Sequence, residues 1–132
     1  MAIVVDTSVI MAVVLNEASK PDLIRLTIGA DLVAPTSLHW EVGNALSAML
    51  KRKRLTVTEG RQALVEYQKI PLRFLDVSLE DTLLLANQYA IYAYDAYFIV
   101  CARSQAVPLI TLDAGLRTTA RAVGITVIEV TP

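Results

Sequence analysis

Short apolar runs alternate along the chain with stretches whose hydrophobic positions recur at helical spacing. Ala2–Val5 is a β-branched run of strand length that stops at Asp6-Thr7-Ser8, polar residues able to cap a helix over Val9–Asn16. Pro21 sits where a second helix would begin, Asp22–Ile28 carries Leu23, Leu26 and Ile28, and Gly29 would stop it. Leu32-Val33-Ala34 predicts a second strand ahead of Pro35. From Ser37 to about Lys53, Leu38, Val42, Ala45, Leu46, Met49 and Leu50 share one face of a long helix. Its cationic end, Lys51-Arg52-Lys53-Arg54, complements the helix dipole.

The second half continues the alternation. Thr58–Lys69 reads as a helix capped by Thr58, and Pro71 closes it before a third strand over Leu72–Val77. Ser78–Tyr89 is helical, with Ser78 as cap and Asp81 in the capping-box position. Ala93–Gln105 is a further helix, Pro108–Thr111 the fourth strand, Asp113–Ala122 a helix ended by Gly124, and Thr126–Val130 a fifth strand. Neither a repeat nor a linker divides the 132 residues, so one domain over 1–132 is expected. Strands alternating with helices predict a three-layer α/β fold, a parallel sheet flanked by helices through right-handed crossovers. The near-continuous apolar strands fit a sheet covered on both faces.

Composition adds an excess to explain. Hydrophobic residues make up 55% and charged residues 19%, against about 45–50% and about 25% in an average domain. No uncharged apolar stretch approaches the roughly 20 residues of a bilayer crossing. The start lacks the basic segment and small-residue cleavage site of a signal peptide, so a cytoplasmic protein without a membrane span is expected. The one cysteine, Cys101, lies in an apolar run and reads as a small buried hydrophobe. A net charge of −1 speaks, by the usual rule, against a nucleic-acid binder.

Four of the 13 acids stand where solvated surface acids would not. Asp6 ends the first strand, Asp113 follows the fourth, Glu41 lies in the first turn of the long helix, and Asp95 opens the apolar Ala96–Ala102 segment. Strand ends and the helix starts after them share the carboxyl edge of a parallel sheet, where such folds place ligands. Taken singly, Asp6, Asp95 and Asp113 are equally read as helix N-caps, and Glu41 as a partner of a helix dipole. Together, four converging carboxylates require protons or cations. An oxygen-only ligand set points to Mg²⁺ or Mn²⁺ rather than Zn²⁺. His39, the only histidine, would point away from Glu41 on a helix and reads as structural.

The segments Val5-Asp6-Thr7-Ser8, Glu41-Val42-Gly43-Asn44-Ala45-Leu46, Tyr94-Asp95-Ala96-Tyr97 and Leu109-Ile110-Thr111-Leu112-Asp113 resemble, in order and spacing, the four acidic motifs of PIN-domain ribonucleases. Within that superfamily the chain resembles VapC-type toxins of prokaryotic toxin–antitoxin pairs, from Met1 to Val130. The resemblance implies a sheet of order 3-2-1-4-5, Mg²⁺- or Mn²⁺-dependent endonucleolytic cleavage of RNA, inhibition by a small antitoxin, and a homodimer. On this reading Asp6, Asp95 and Asp113 hold metal directly or through water, and Glu41 ligates it or orients the attacking water. Thr7, Ser8 and Thr111 would contact a metal-bound water or the scissile phosphate, or else form caps and turns. Asn44, one turn beyond Glu41, suits a supporting role at the site.

Lys51, Arg52, Lys53 and Arg54 are candidate phosphate contacts, with a solvated helix end as the alternative. Tyr92, Tyr94 and Tyr97 surround Asp95 and could stack on bases or pack at the rim, and Trp40 reads as core or interface. A receiver-type phosphoacceptor would want paired acids after the first strand, and a dehalogenase-like phosphatase an Asp at position 8, where Ser stands. The remaining rival is a PIN-fold interaction module without nuclease activity of its own. Setting aside the four acids leaves nine against twelve cations, a remainder of +3 that no longer excludes an RNA substrate.

Overall fold

The computed structural model describes residues 1–131. Ala2–Val5 forms β1, and Asp6, in extended backbone, caps α1 (Thr7–Val14). The helix therefore starts two residues earlier than the hydrophobic period suggests, because the cap is the first polar residue after the strand. α2 (Lys20–Thr27) has Pro21 in its first turn, and β2 spans Asp31–Pro35. α3 (Ser37–Lys51) buries Leu38, Val42 and Leu46. α4 (Val57–Gln68) is capped by Thr56 rather than Thr58, since Thr56 and Glu59 form a reciprocal capping box. β3 (Leu72–Leu75) precedes α5 (Leu79–Tyr89), which Ser78 caps by accepting from the Asp81 amide. α6 (Ala93–Gln105), β4 (Leu109–Ile110) and α7 (Ala114–Val123) complete the order. Gly124 ends α7 at φ 98°, a left-handed conformation glycine adopts freely.

The sheet is parallel, in the order β3-β2-β1-β4. The expected fifth strand, Thr126–Val130, is reduced to a single parallel bridge between Leu109 and Val127 beside β4. Two backbone bonds hold it, from the Leu109 amide to the Thr126 carbonyl and from the Ile128 amide to the Leu109 carbonyl. β4 is only two residues long, so it offers little ladder for a fifth strand to extend. β3 departs from the expected double cover: as an edge strand it leaves Arg73 and Phe74 exposed, with Arg73 donating to Asp31 on β2 at 2.7 Å.

The connections from β1 to β2 to β3 step one way across the sheet, and the connection from β3 to β4 runs back past β1. Right-handed crossovers then put α1–α4 on one face and α5–α7 on the other. α1 packs on α2, α3 and α4, whereas α6 packs on α5, α7 and the strands β1, β2 and β4. α6 is the central helix, burying Ala96 and Phe98 through Ala102, Cys101 among them as expected. Among the described residues no helix is long and apolar enough to cross a membrane.

Candidate active site

The strand order reverses direction between β1 and β4, and the crevice at their carboxyl ends is where open α/β sheets take ligands. Asp6 leaves β1 at that point and Asp113 follows β4. Both are N-caps as well, Asp6 accepting from the Val9 amide at 3.1 Å and Asp113 from the Leu116 amide at 3.0 Å. The cap and the site are therefore not rival explanations, since capping uses only part of a carboxylate's capacity to accept and leaves lone pairs for other partners. Asp95 corrects the expectation of a third cap: Tyr92 holds the cap position of α6, and Asp95 lies in its first turn.

Asp6 is 4% exposed and closely held. The Ser8 hydroxyl donates to its Oδ1 at 2.6 Å and the Thr111 hydroxyl to its Oδ2 at 2.5 Å. The same two hydroxyls accept from the next junction, Ser8 Oγ from the Leu112 amide at 2.9 Å and Thr111 Oγ1 from the Asp113 amide at 3.0 Å. Ser8 and Thr111 thus tie the β1–α1 corner to the β4–α7 corner through Asp6. Thr111 is fully buried, so its hydroxyl positions Asp6 rather than reaching a phosphate. Replacing Thr111 by Val leaves one oxygen of a buried carboxylate and one amide without a partner. It should destabilise the protein by about 1–3 kcal/mol, read by urea denaturation, and a loss below 0.5 kcal/mol would contradict this arrangement.

The four acids act on one another. Burial pushes the Asp6 carboxyl above the ordinary range against the pull of its hydrogen bonds, and the Asp113 charge pushes it the same way. Burial raises Asp95, again with Asp113 adding to the rise. Glu41 is pushed up to about 7, chiefly by burial and further by the charges of Asp6 and Asp95. The Ser37 and Thr7 hydroxyls lie near enough to Glu41 to offset part of that rise. Neither meets it in hydrogen-bonding geometry, however, and Glu41 Oε2, Ser37 Oγ and Thr7 Oγ1 are all buried without partners. Unpaired buried oxygens are uncommon in folded proteins and mark places where a bound species completes the arrangement.

Ser37 escapes the motif reading. Its position four residues before Glu41, on the same helical face, is the one signal that points to it. Asn44 is exposed on that face and lines the same cleft as Glu41 and Thr7. His39 stands apart from the acids, its Nδ1 3.0 Å from the Tyr67 hydroxyl and its ring against Phe74. Lys51, Arg52, Lys53 and Arg54 lie at the opposite end of α3, about 15 Å or more from Glu41 by helical rise. Among the described residues none of the four enters an ion pair.

A family profile described as PIN domain matches residues 3–122. Ribonuclease VapC9 of Mycobacterium tuberculosis is 31% identical over 123 residues, spanning 91% of this chain and 92% of the relative. Among solved structures, PAE2754 from Pyrobaculum aerophilum superposes with a TM-score of 0.74 at 22% identity, covering 98% of this chain and 85% of its own. VapBC2 from Rickettsia felis, bound to a DNA fragment from its promoter, superposes with a TM-score of 0.67 at 14% identity, covering 97% of this chain and 98% of its own.

Proposed function

The chain belongs to the PIN-domain family, and on that premise we propose that it is a divalent-metal-dependent endoribonuclease, the cytoplasmic toxin of a toxin–antitoxin pair. The observation that carries this reading is Glu41, whose buried Oε2 has no partner while Asp6 and Asp95 press their charges on the same carboxyl. Such a group is relieved by a proton or by a cation. The donor set is all oxygen, which fits Mg²⁺ or Mn²⁺. Among the described residues no three acidic, histidine or cysteine side chains close around one point. That is compatible with an ion that keeps several of its waters and takes one or two carboxylates.

Asp6, Asp95 and Asp113 are the residues that would hold the ion, directly or through water, with Glu41 beside them. When bound, Mg²⁺ or Mn²⁺ neutralises charge developing on the phosphoryl oxygens and makes water a better nucleophile. Asp6 enters this work already oriented, because Ser8, Thr111 and the Val9 amide fix both of its oxygens. Glu41 lines the cleft beside these acids, and its carboxylate is suited to accept the proton of the attacking water. The exposed Asn44 amide faces the cleft and can bond a water or a phosphate oxygen, while the buried, unpartnered Thr7 hydroxyl lies beside Glu41 and can bond a water there. Lys51–Arg54 would take phosphates farther along the strand. The exposed Leu79, Leu83 and Leu84 of α5 support protein partners, an antitoxin and a second copy of the chain.

The reading is tested with purified, antitoxin-free protein and a panel of structured and unstructured RNAs. Cutting is expected with Mg²⁺ or Mn²⁺, should fall at least roughly 100-fold in chelator, and should return when the ion is restored. Undiminished cutting in chelator would remove the metal from the proposal. Failure to cut any RNA under these conditions would favour a PIN-fold interaction module instead.

A further inference from the structure

Two exposed aromatic rings border the acidic cleft. Trp40 on α3 is 74% exposed and Tyr94 on α6 is 63% exposed. With Thr7, Glu41, Asn44 and Ala45 they line one open cleft of about 470 Å³. Tyr94 directly precedes Asp95 and Trp40 directly precedes Glu41, so each ring is placed by the same helical turn that places a carboxylate. Both rings are braced from one side. Trp40 stands edge-to-face with His39 at 4.9 Å between centroids, and His39 is held in turn by the Tyr67 hydroxyl. Tyr94 stands edge-to-face with Tyr97 at 6.2 Å.

We propose that Trp40 and Tyr94 form an aromatic clamp for one unpaired nucleobase of a single-stranded RNA, which sets the phosphate presented to Glu41 and Asp6. The inference rests on the nuclease reading and adds to it a substrate form and two specificity-determining residues. The one charged residue of the lining is Glu41, whose carboxylate does not itself attract a phosphate, so what the cleft's own side chains add to RNA binding is directed at the neutral base. Flat rings stack on a base of any sequence, and the Asn44 amide beside them offers a donor and an acceptor to its edge. Apart from Ala45 the lining is two rings, an amide, a carboxylate and Thr7 rather than an aliphatic groove, which favours a base over an apolar helix. A base inside a duplex is already stacked and cannot enter, so single strands and loops are the expected ligands.

Trp40 is the chain's only tryptophan, so its fluorescence reports on the clamp directly. In an Asp6→Asn background, which keeps the probe uncut, hexauridylate and hexaadenylate should quench it, and a 12-base-pair RNA duplex should not. Trp40→Ala and Tyr94→Ala should each weaken binding of labelled hexanucleotide by roughly 10- to 100-fold, with Trp40→Phe restoring most of it and circular dichroism unchanged. In the otherwise wild-type chain the Ala variants should raise KM and shift the positions cut while kcat changes little. Intact cutting with unchanged affinity and positions would overturn the clamp and leave the nuclease reading standing. Loss of self-association in Trp40→Ala, with RNA affinity per chain unaltered, would assign the rings to a protein interface and also overturn it. Quenching and binding without cutting under any metal would support the clamp and overturn the nuclease reading.

Discussion

Asp6→Asn should lower RNA cleavage by roughly 100- to 1000-fold and leave the fold intact. The substitution keeps shape and removes one charge. Asn can still accept at Oδ1 from the Val9 amide and the Ser8 hydroxyl, so the cap of α1 survives. Its amide would face the Thr111 hydroxyl, which can turn to accept. Stability should therefore hold or rise, because a buried charge and its repulsion with Asp113 and Glu41 are gone. What is lost is the anionic oxygen most firmly oriented at the sheet's switch point. Cleavage and urea denaturation measured on the same preparation separate the two effects. An Asn variant that cuts at the wild-type rate would remove Asp6 from the chemistry.

Glu41→Gln is expected to reduce cleavage and, without metal, to stabilise the protein at alkaline pH. The sign follows from the carboxyl's two states. Its pKa is 4.5 in an ordinary setting and about 7 in the fold. The folded chain therefore binds the proton more tightly than the unfolded one, so this group's contribution is fully present below pH 4.5 and is lost as pH rises through 7. Because the carboxyl is only half-buried, the loss is discounted to on the order of 2 kcal/mol. Asp6 and Asp95, also raised, act in the same direction. In chelator the difference in stability between Glu41→Gln and wild type should grow by about that amount from pH 5 to pH 8, measured by denaturant titration. A difference that does not change with pH would refute the strained carboxyl. Mn²⁺ should narrow the gap at pH 8, since an ion bound only by the folded wild type stabilises it.

The elements carried by strong local signals are legible in the sequence. β1, the run of α6 and the Gly124 stop fall where apolar spacing and cap chemistry put them, and the three-layer α/β class follows from their alternation. The misses occur where neighbours decide. The cap of α4 is a different kind of miss: Thr56 and Thr58 are equally good caps by residue type, and Glu59 three residues after Thr56 is the local capping-box signal that selects Thr56. Thr126–Val130 has strand composition, but a strand exists only where a partner offers a ladder, and β4 offers two residues.

The site divides in the same way. Order and spacing along the chain single out Asp6, Glu41, Asp95 and Asp113, because acids at the ends of apolar strands and in the first turns of buried helices are conspicuous against their surroundings. What each does among the others depends on contacts between segments far apart in the chain: the Thr111 hydroxyl on Asp6 and the Leu112 amide on Ser8 span more than a hundred residues, and the charges of Asp6 and Asp95 reach Glu41 from separate elements. Hydrophobic period and cap type are local properties that a sequence states outright. Burial, hydrogen-bond partners and the exposure of Trp40 and Tyr94 arise only when distant segments pack, and that is why the tertiary structure alone separates positioning hydroxyls from open cleft.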